Sequence, residues 1–552
     1  MYESSSESSG DGLGLAIAHS PQRLDDSSSR HDPGNSSDDA MGLLSSVSDL
    51  DEDHGAGLAI DSASSQGGGH GDELPAAMSS GCGDGMQVAD EGGLVSSDSD
   101  ASKMGSLSAA SDMGCSTENS ETAGLSTHAE ATVHDEHRPW TEVVLLCLEE
   151  RLSPKVMRHS LFFTVLALST SFSGIGCTEI AVQMLVEATF AIYGRRLTWV
   201  FRAACEQMPP KISKLLQLVK GDHCIFKDIR DTCKSWDGSF ASSKSYDEQC
   251  EQIANSDFCN RRQCARHEGV CEFPRVDGEI AGSPCTPWSR MGSRLGRRHK
   301  LTHLLVIWCH WLRAMQIPWA IHENVILFDT AILDDILQDM YHIIHIRVNS
   351  AAAGEIVSRV RIYSVLLLRG KVRCIADIAA TYAFVEKKLA SRRKTTVQEY
   401  MIANDDDLLA AENGSRQQHK LSKLSTPSGD WGYLLTGKQA QYLAKYEADW
   451  HRTRGKPANL CPECVFDLGQ NPAKRCVQTS KKGVLPTMRG SGLWWSPMRR
   501  RWVLAIEAAY LHGIPLELAR QNDYSWKDIG NAMHITSVGS VLSVVLCCTE
   551  LA

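Results

Sequence analysis

The chain has 552 residues, of which 42% are hydrophobic, so it is long enough for two or three folded domains. Its charge is uneven: residues 1–138 carry 26 acidic and four basic residues, a net charge of −22, which leaves +11 on the other 414 residues within a total of −11. Nineteen cysteines without the basic and apolar blocks of a signal peptide argue against a secreted disulfide scaffold and predict reduced thiols in the nucleus or cytoplasm.

The first 138 residues consist mainly of Ser, Gly and Asp, and they show neither a helical nor a strand period. Such a segment buries too little apolar surface to offset its ordering entropy, so we predict a disordered acidic tail. Its contrast with the basic remainder is typical of proteins that handle a polyanion, although two ordinary solvated surfaces explain it equally. No membrane span is predicted, because polar residues interrupt 161–193 and the apolar run 538–548 is short.

Strand and helix patterns alternate from residue 140 onward. The predicted elements are a short helix over 141–150, strands over 162–171, 197–204, 224–227, 279–282 and 319–322, and an amphipathic helix over 177–193. This alternation predicts a doubly wound α/β domain with a mostly parallel sheet covered on both faces. Ligands of such sheets bind at the carboxyl ends of the strands.

A glycine turn, Phe172-Ser-Gly-Ile-Gly176, joins the first predicted strand to the helix. Glycines permit a close ligand approach beside a helix N-terminus, although many such turns bind nothing. Glu206 closes the second strand and Asp228 follows the third, where acids accept hydrogen bonds from a ribose or an adenine amino group. Either acid is also explained as a helix cap or a surface residue, but together the three strand ends favour a nucleoside cofactor.

A cysteine between two prolines, Cys285, follows the strand over 279–282. A rigid loop of this kind presents a thiol, which is a strong nucleophile once ionised, although isolated cysteines are usually inert. Glu323 follows the next predicted strand and is expected at the same sheet edge. Arg359 and Arg361 alternate on one face of a later strand, which is a solvated face unless they converge with Cys285 and Glu323.

In this order the motifs resemble those of the cytosine-5 methyltransferases, from residue 161 to the C-terminus apart from 371–486. The resemblance implies a Rossmann-like fold that binds S-adenosylmethionine. Ile529-Gly-Asn-Ala-Met533 is similar to a late family motif that returns to the cofactor. The implied cofactor contacts are Phe172, Gly174, Gly176, Glu206, Asp228 and Asn531.

The resemblance also implies the chemistry. Cys285 would add to carbon 6 of cytosine and Glu323 would hold ring nitrogen 3 and the amine. Arg359 would fix the carbonyl and Arg361 would support the loop. The target base must be extruded from a duplex to reach these residues. We expect DNA as the substrate, because most of the family acts on DNA, and a nuclear location. The alternatives are a transfer RNA substrate and a catalytically degenerate binding module.

Three features depart from the family pattern. Ile356 and Val357 replace the family's Pro-Gln before the paired arginines, and Thr286 replaces a glutamine after Cys285. A long insertion of 56 residues separates Asp228 from Cys285.

Two cysteine sets are candidates for zinc, but neither has paired Cys-x-x-Cys knuckles, so free thiols and no metal are predicted. These sets are Cys250, Cys259, Cys264 and Cys271 in the insertion, and Cys461, Cys464 and Cys476 beyond it.

The predicted organisation has four parts. After the tail over 1–138, a catalytic domain is formed by 139–370 and completed by 487–552. The polar, Lys- and Arg-containing stretch over 371–486 is expected to form an inserted target-recognition lobe across a basic cleft.

Overall fold

The computed structural model describes residues 138–236, 245–392 and 395–552. The predicted tail over 1–138 lies outside these residues, apart from Arg138. The helices are α1 (Trp140–His159), α2 (Cys177–Tyr193), α3 (Pro209–Leu218), α4 (Tyr246–Ala254), α5 (Thr302–Met315), α6 (Ala331–Leu337), α7 (Ile378–Leu389), α8 (Val397–Tyr400), α9 (Asp405–Gln418), α10 (Gly437–Arg454), α11 (Ala505–Leu511), α12 (Leu516–Gln521), α13 (Trp526–Asn531) and α14 (Ile535–Cys547).

The strands form one large sheet and two small ones. They are β1 (Leu166–Ser171), β2 (Trp199–Cys205), β3 (Cys224–Phe226), β4 (Arg261–Cys264), β5 (Gly269–Glu272), β6 (Gly278–Ala281), β7 (Trp319–Val325), β8 (Tyr341–Asn349), β9 (Val360–Leu368), β10 (Val372–Cys374), β11 (Phe466–Asp467), β12 (Trp494–Ser496), β13 (Arg501–Trp502) and β14 (Thr549–Leu551).

The large sheet has the strand order β5-β4-β3-β2-β1-β6-β7-β9-β8. Its five middle strands, which are β3, β2, β1, β6 and β7, are parallel to one another. An antiparallel pair of strands extends the sheet at each edge: β4 and β5 beside β3, and β9 and β8 beside β7. The direction of winding reverses between β1 and β6, so the loops that follow these strands diverge and leave a crevice. The predicted doubly wound, mostly parallel sheet is confirmed.

Successive side chains of the middle strands pack into different cores. Ile280 and Ile321 enter a core shared with α1, α2, α7 and α14, whereas Ala281 and Ala320 enter a core shared with α5 and α6. This alternation follows from the pleat, which points neighbouring side chains to opposite faces. Because both faces are covered by helices, most strand side chains are apolar, and the polar residues of β1 and β7 lie toward the carboxyl ends of these strands.

Helix α14 lies inside the first of these cores, and all of its 13 residues are buried. By length and composition alone, the run Trp526–Cys547 is sufficient to cross a membrane, but 89% of its apolar 18-residue window is buried within the protein. Buried core helices have the same composition as membrane spans. In the structure this run is divided into α13 and α14, and α14 packs against α1, α2 and α7.

Gly539 lets the Trp140 ring lie against α14. A Cβ at Gly539 would be 2.1 Å from Cη2 of Trp140, whose side chain is buried. We expect Gly539→Ala to lower the free energy of unfolding by about 1–3 kcal/mol, because overpacking displaces the ring. This loss outweighs the gain of about 1 kcal/mol in helix propensity.

Urea unfolding followed by circular dichroism measures this effect. Gly437→Ala is the matched control, since Gly437 is helical and no atom lies within 4 Å of the added Cβ. An unchanged or higher midpoint for Gly539→Ala would contradict the packing described here.

Some element boundaries differ from the predictions. Helix α1 has 20 residues rather than the ten predicted, and Ser153, with φ 66° before Pro154, divides it. Strand β1 begins at Leu166 rather than at 162, because Leu161–Phe163 form a 3₁₀ turn. Strand β7 continues to Val325, so Glu323 lies within the strand and not after it.

A third hydrophobic core lies between α10 and the small sheet β11-β12-β13, with Trp431, Trp450 and Trp495 among its buried rings. Strands β12 and β13 lie beyond the predicted boundary at 486, yet β12 pairs with β11 and β13 pairs with β12 in the same small sheet. Helix α7 lies after the predicted boundary at 370, yet it packs against α1 and α14. The third core therefore draws its residues from the stretch between α7 and α11, and the lobe over 371–486 stays a prediction.

Candidate functional site

The glycine turn after β1 occupies the crevice where the winding reverses. Phe172, Gly174 and Gly176 all have positive φ, at 56°, 62° and 85°. Gly176 precedes the first turn of α2, and a Cβ there would lie 2.3 Å from a methyl group of Leu218. The turn therefore requires glycine for both conformation and space, and it leaves the N-terminus of α2 facing the crevice without a side-chain cap.

Glu206 follows β2 and holds the glycine turn. One carboxylate oxygen accepts the Gly174 N–H at 2.9 Å, and the other accepts the Met208 N–H at 2.9 Å. The side chain is only 7% exposed. Each carboxylate oxygen can accept more than one hydrogen bond, so Glu206 can fix the turn and still receive a ligand hydroxyl.

Asp228 follows β3, but its carboxylate is already engaged. It accepts the backbone N–H of Arg230, and the Arg230 guanidinium donates to both carboxylate oxygens. Gln207 Nε2 donates to Asp228 Oδ2 at 3.0 Å. An adenine amino group would have to share this carboxylate, so the predicted role of Asp228 stays a prediction.

The loop that carries Cys285 is held by β7. The Ser283 hydroxyl lies 2.8 Å from His322 Nε2, and Asn324 Nδ2 donates to Ser283 Oγ at 2.9 Å. Beyond Cys285 the chain turns back, because the Cys285 carbonyl accepts the N–H groups of Trp288 and Ser289. Cys285 itself is half-buried, so its thiol is positioned by a rigid loop and can still be reached.

Ser283, His322 and Asn324 hold the Cys285 loop, and the sequence reasoning did not single them out. Burial, with a smaller contribution from His345, lowers the pKa of His322 to about 3, so its ring is neutral around pH 7. A neutral ring suits a hydrogen bond with a hydroxyl. The sequence could have pointed to these three residues through their positions: Ser283 lies two residues before Cys285, and His322 and Asn324 flank Glu323.

Glu323 forms an ion pair with Arg361 across the β7–β9 pairing, with 2.9 Å between Arg361 Nε and Glu323 Oε1. The Glu323 side chain is only 10% exposed. The sequence analysis gave Arg361 a role in supporting the loop, but the structure places its guanidinium against Glu323. Strand pairing therefore brings a carboxylate and a guanidinium together that are 38 residues apart.

Arg359 is buried beside this pair. Its Nη1 donates to the Gly530 carbonyl at 3.2 Å, and its backbone N–H donates to Asn349. Burial, followed by repulsion from Arg361, lowers the pKa of Arg359 to about 10, while Glu323 and Cys285 act in the opposite direction. Arg359 is therefore a buried cation within electrostatic reach of Cys285 and Glu323.

The late Gly-Asn motif lies close to both loops. A Cβ at Gly282 would meet Met533 Cε at 2.5 Å, and the Thr178 hydroxyl is 3.8 Å from the Met533 sulfur. Met533 therefore bridges the Cys285 loop and the start of α2, which the sequence analysis did not foresee. Asn531, the predicted contact, is exposed at the end of α13 and near Gly490.

Ile356 and Val357, which stand where the family has Pro-Gln, lie in the protein interior. Val357 is fully buried, and its carbonyl accepts the Ser350 hydroxyl. The Ile356 carbonyl accepts the N–H of Leu485. Both side chains contribute to the hydrophobic core shared with α14, so a glutamine at 357 would bury an amide there rather than reach a substrate.

The segment over 289–300, which follows Cys285 and contains four arginines and one lysine, is only partly available for phosphate groups. Arg297 forms ion pairs with Asp329 at 2.7 Å and with Asp335 at 3.0 Å. Arg298 and Lys300 are exposed. Arg297 therefore serves the fold of this loop, while its exposed neighbours present positive charge next to the cysteine loop.

Comparisons with known proteins place these residues in context. The profile of the family described as C-5 cytosine-specific DNA methylase matches residues 234–545. No curated protein matches the chain. The crystal structure of S. pombe Dnmt2 methyltransferase is 14% identical and covers 69% of this chain and 98% of its own, with a TM-score of 0.36. The methyltransferase EhMeth of Entamoeba histolytica is 12% identical, with the same coverage and a TM-score of 0.37.

Proposed function

Because the chain belongs to the C-5 cytosine-specific DNA methylase family, we propose that it transfers a methyl group from S-adenosylmethionine to carbon 5 of a cytosine in DNA. The observation that carries this proposal is the convergence of Cys285, Glu323 and Arg359 at one edge of the sheet. A nucleophile, a carboxylate and a buried cation there match the needs of a reaction that adds to a pyrimidine ring.

The residues around the glycine turn fit a nucleoside cofactor with a cationic group. Glu206 is fixed at the sheet edge with acceptor capacity left for ribose hydroxyls. In α2, burial raises the pKa of Glu179 to about 7, and its Oε2 has no hydrogen-bond partner among the described residues. That oxygen lies 3.7 Å from a Cβ placed on Gly176. A cation at the turn would satisfy it, and the bound cofactor would supply an electrophilic methyl group.

In the proposed reaction, the Cys285 thiolate forms a bond to carbon 6 of the ring and makes carbon 5 nucleophilic. Glu323 holds ring nitrogen 3 and the amine, and its ion pair with Arg361 fixes the carboxylate. Arg359 stabilises the charge that develops on the ring carbonyl. After carbon 5 has received the methyl group, it loses its proton, the carbon 5–carbon 6 double bond re-forms and Cys285 leaves.

The target base must leave the duplex to reach Cys285, because the loop lies within a crevice of the sheet. We propose that the lobe over about 395–502 contacts the flanking nucleic acid, and that Arg298 and Lys300 contact phosphates. The net charge of +11 on residues 139–552 supports a polyanionic substrate, and a nuclear location would provide DNA.

The decisive experiment offers the full chain labelled S-adenosylmethionine with duplex DNA, single-stranded DNA or transfer RNA. We expect label in DNA. DNA containing 5-fluorocytosine should form a denaturation-resistant complex, because fluorine at carbon 5 prevents release of the cysteine. Label in transfer RNA alone would overturn the choice of DNA. An absence of label and of covalent complex on every substrate would favour a degenerate binding module.

Ser283 is proposed as a positioning residue for the nucleophile. Ser283→Ala removes the hydroxyl that contacts His322 and Asn324, so we expect kcat to fall about tenfold while KM for the cofactor stays unchanged. Ser283→Thr should recover most of the rate because it restores the hydroxyl. Ser293→Ala, an exposed serine of the same segment, is the control. Equal kcat for Ser283→Ala and the wild type would refute this role.

A further inference from the structure

Three cysteines and a histidine converge at the edge of the sheet, away from the Cys285 loop. They are Cys224 at the start of β3, Cys264 at the end of β4, His267 in the β4–β5 turn and Cys271 in β5. Their ligand atoms all lie within 4.8 Å of one another. Within the described parts of the chain, no other group of this kind was found.

The distances from the histidine nitrogen to the three sulfurs match those between the ligands of a tetrahedral zinc ion. His267 Nδ1 lies 3.3 Å from Cys271 Sγ, 3.5 Å from Cys264 Sγ and 3.7 Å from Cys224 Sγ. A tetrahedral zinc with Zn–S about 2.3 Å and Zn–N about 2.0 Å separates a nitrogen and a sulfur ligand by about 3.5 Å. These three nitrogen–sulfur distances are therefore those expected around one tetrahedral ion.

The other nitrogen of the ring gives independent support. His267 Nε2 lies 2.8 Å from Asp222 Oδ1. A carboxylate at this nitrogen holds the proton on Nε2 and leaves the Nδ1 lone pair directed at the three sulfurs. Histidines that bind zinc usually donate their second N–H to such a carboxylate.

The cluster joins parts of the chain that share only a short strand pairing. A single residue pair, Phe226 with Cys264, connects β3 and β4 in the sheet register. The β4–β5 hairpin belongs to the insertion between Asp228 and Cys285. A metal bound by Cys224 on one side and by three residues of the hairpin on the other would cross-link the insertion to the sheet.

We propose that Cys224, Cys264, His267 and Cys271 bind one zinc ion that fixes the inserted hairpin to β3. Four protein ligands complete the tetrahedron, so the ion is structural and has no position open for a substrate. The site is separate from the proposed methyl transfer: Cys224 begins β3, whereas Asp228 follows its other end.

The structure also corrects the candidate sets drawn from the sequence. Only Cys264 and Cys271 of the first set take part, together with Cys224 and His267, which neither set contained. Cys259 Sγ instead lies 3.0 Å from the Arg261 carbonyl. Cys250 lies on α4, outside the cluster.

The test is the zinc content of the full-length chain purified without chelators. We expect one zinc per chain in the wild type, one in Cys259→Ser and none in Cys271→Ser. Cys259 is the matched control, since it is also a half-buried thiol near this hairpin. Retention of zinc by Cys271→Ser, or an absence of zinc from wild type purified with zinc in the medium, would overturn the proposal.

Two further measurements keep the test valid if Cys271→Ser does not fold. Cobalt exchanged into the wild type should show the ligand-field and thiolate charge-transfer bands of a tetrahedral site. Asp222→Asn should retain zinc but lose it to a competing chelator about 10–100-fold more readily. A disulfide among the three cysteines found by mass spectrometry, with no cobalt spectrum, would refute the site. None of these readouts depends on methyl transfer.

Discussion

Cys285→Ala is expected to abolish methyl transfer, with a rate loss on the order of 10⁶-fold, as for removal of other covalent nucleophiles. The loop that carries Cys285 is held against β7 through Ser283, so we expect the loss of its sulfur to remove the nucleophile. Binding of S-adenosylmethionine should persist, since the proposed contacts lie on the glycine turn and on Glu206. The measurements are label incorporation into DNA and cofactor affinity by calorimetry.

Cys374→Ala, which removes an exposed thiol on β10, is the control and should keep the wild-type rate. The Cys285 variant should also fail to form the complex with 5-fluorocytosine DNA. Turnover by Cys285→Ala at a rate near the wild type would exclude the covalent mechanism, even if the chain proved to be a methyltransferase.

Glu323→Gln should lower kcat about 10²–10³-fold, or about 2.7–4 kcal/mol of transition-state stabilisation. The amide keeps the shape of the side chain but cannot balance a protonated ring, and it leaves Arg361 without its ion-pair partner. The effect should appear in kcat rather than in KM, because the charge develops only after Cys285 has added. Single-turnover kinetics separates the chemical step from product release.

A loss of stability must be separated from this loss of rate, because breaking a buried ion pair is itself destabilising. Glu507→Gln makes the same change in another buried pair, with Arg501 at 2.6 Å and the carboxylate fully buried. We expect this control to unfold more easily and yet to retain kcat per folded molecule. If Glu323→Gln behaved in the same way, Glu323 would be a structural residue.

The glycine turn and the Cys285 loop lie next to each other in the sheet, as the proposed covalent mechanism requires. The glycine turn follows β1 and the Cys285 loop follows β6, and the winding of the sheet reverses between these two strands. Both loops therefore open into one crevice, where a cofactor and an extruded base would meet. The departures at Ile356 and Val357 do not disturb this arrangement, because both side chains belong to the core.

Features that depend only on neighbouring residues could be predicted from the sequence. Apolar runs between turn residues gave β1, β2 and β6 within a few positions, and the helical period gave α2 with its observed limits. The glycine turn was predictable because positive φ at Gly174 and Gly176 is a local requirement. Motif order was sufficient to predict the family, since it needs no knowledge of distances.

Which distant side chains meet depends on the fold and could not be predicted from the sequence. Arg361 faces Glu323 because β9 pairs with β7 in one particular register, and a shift by one residue would point it to the other face. Cys224 and His267 join one cluster because the β4–β5 hairpin folds back on β3, which no cysteine spacing reveals. The place of α7 in the core with α14 could not be predicted for the same reason. The sequence of α7 shows an apolar face but not its partner, and α14 lies about 150 residues further along the chain.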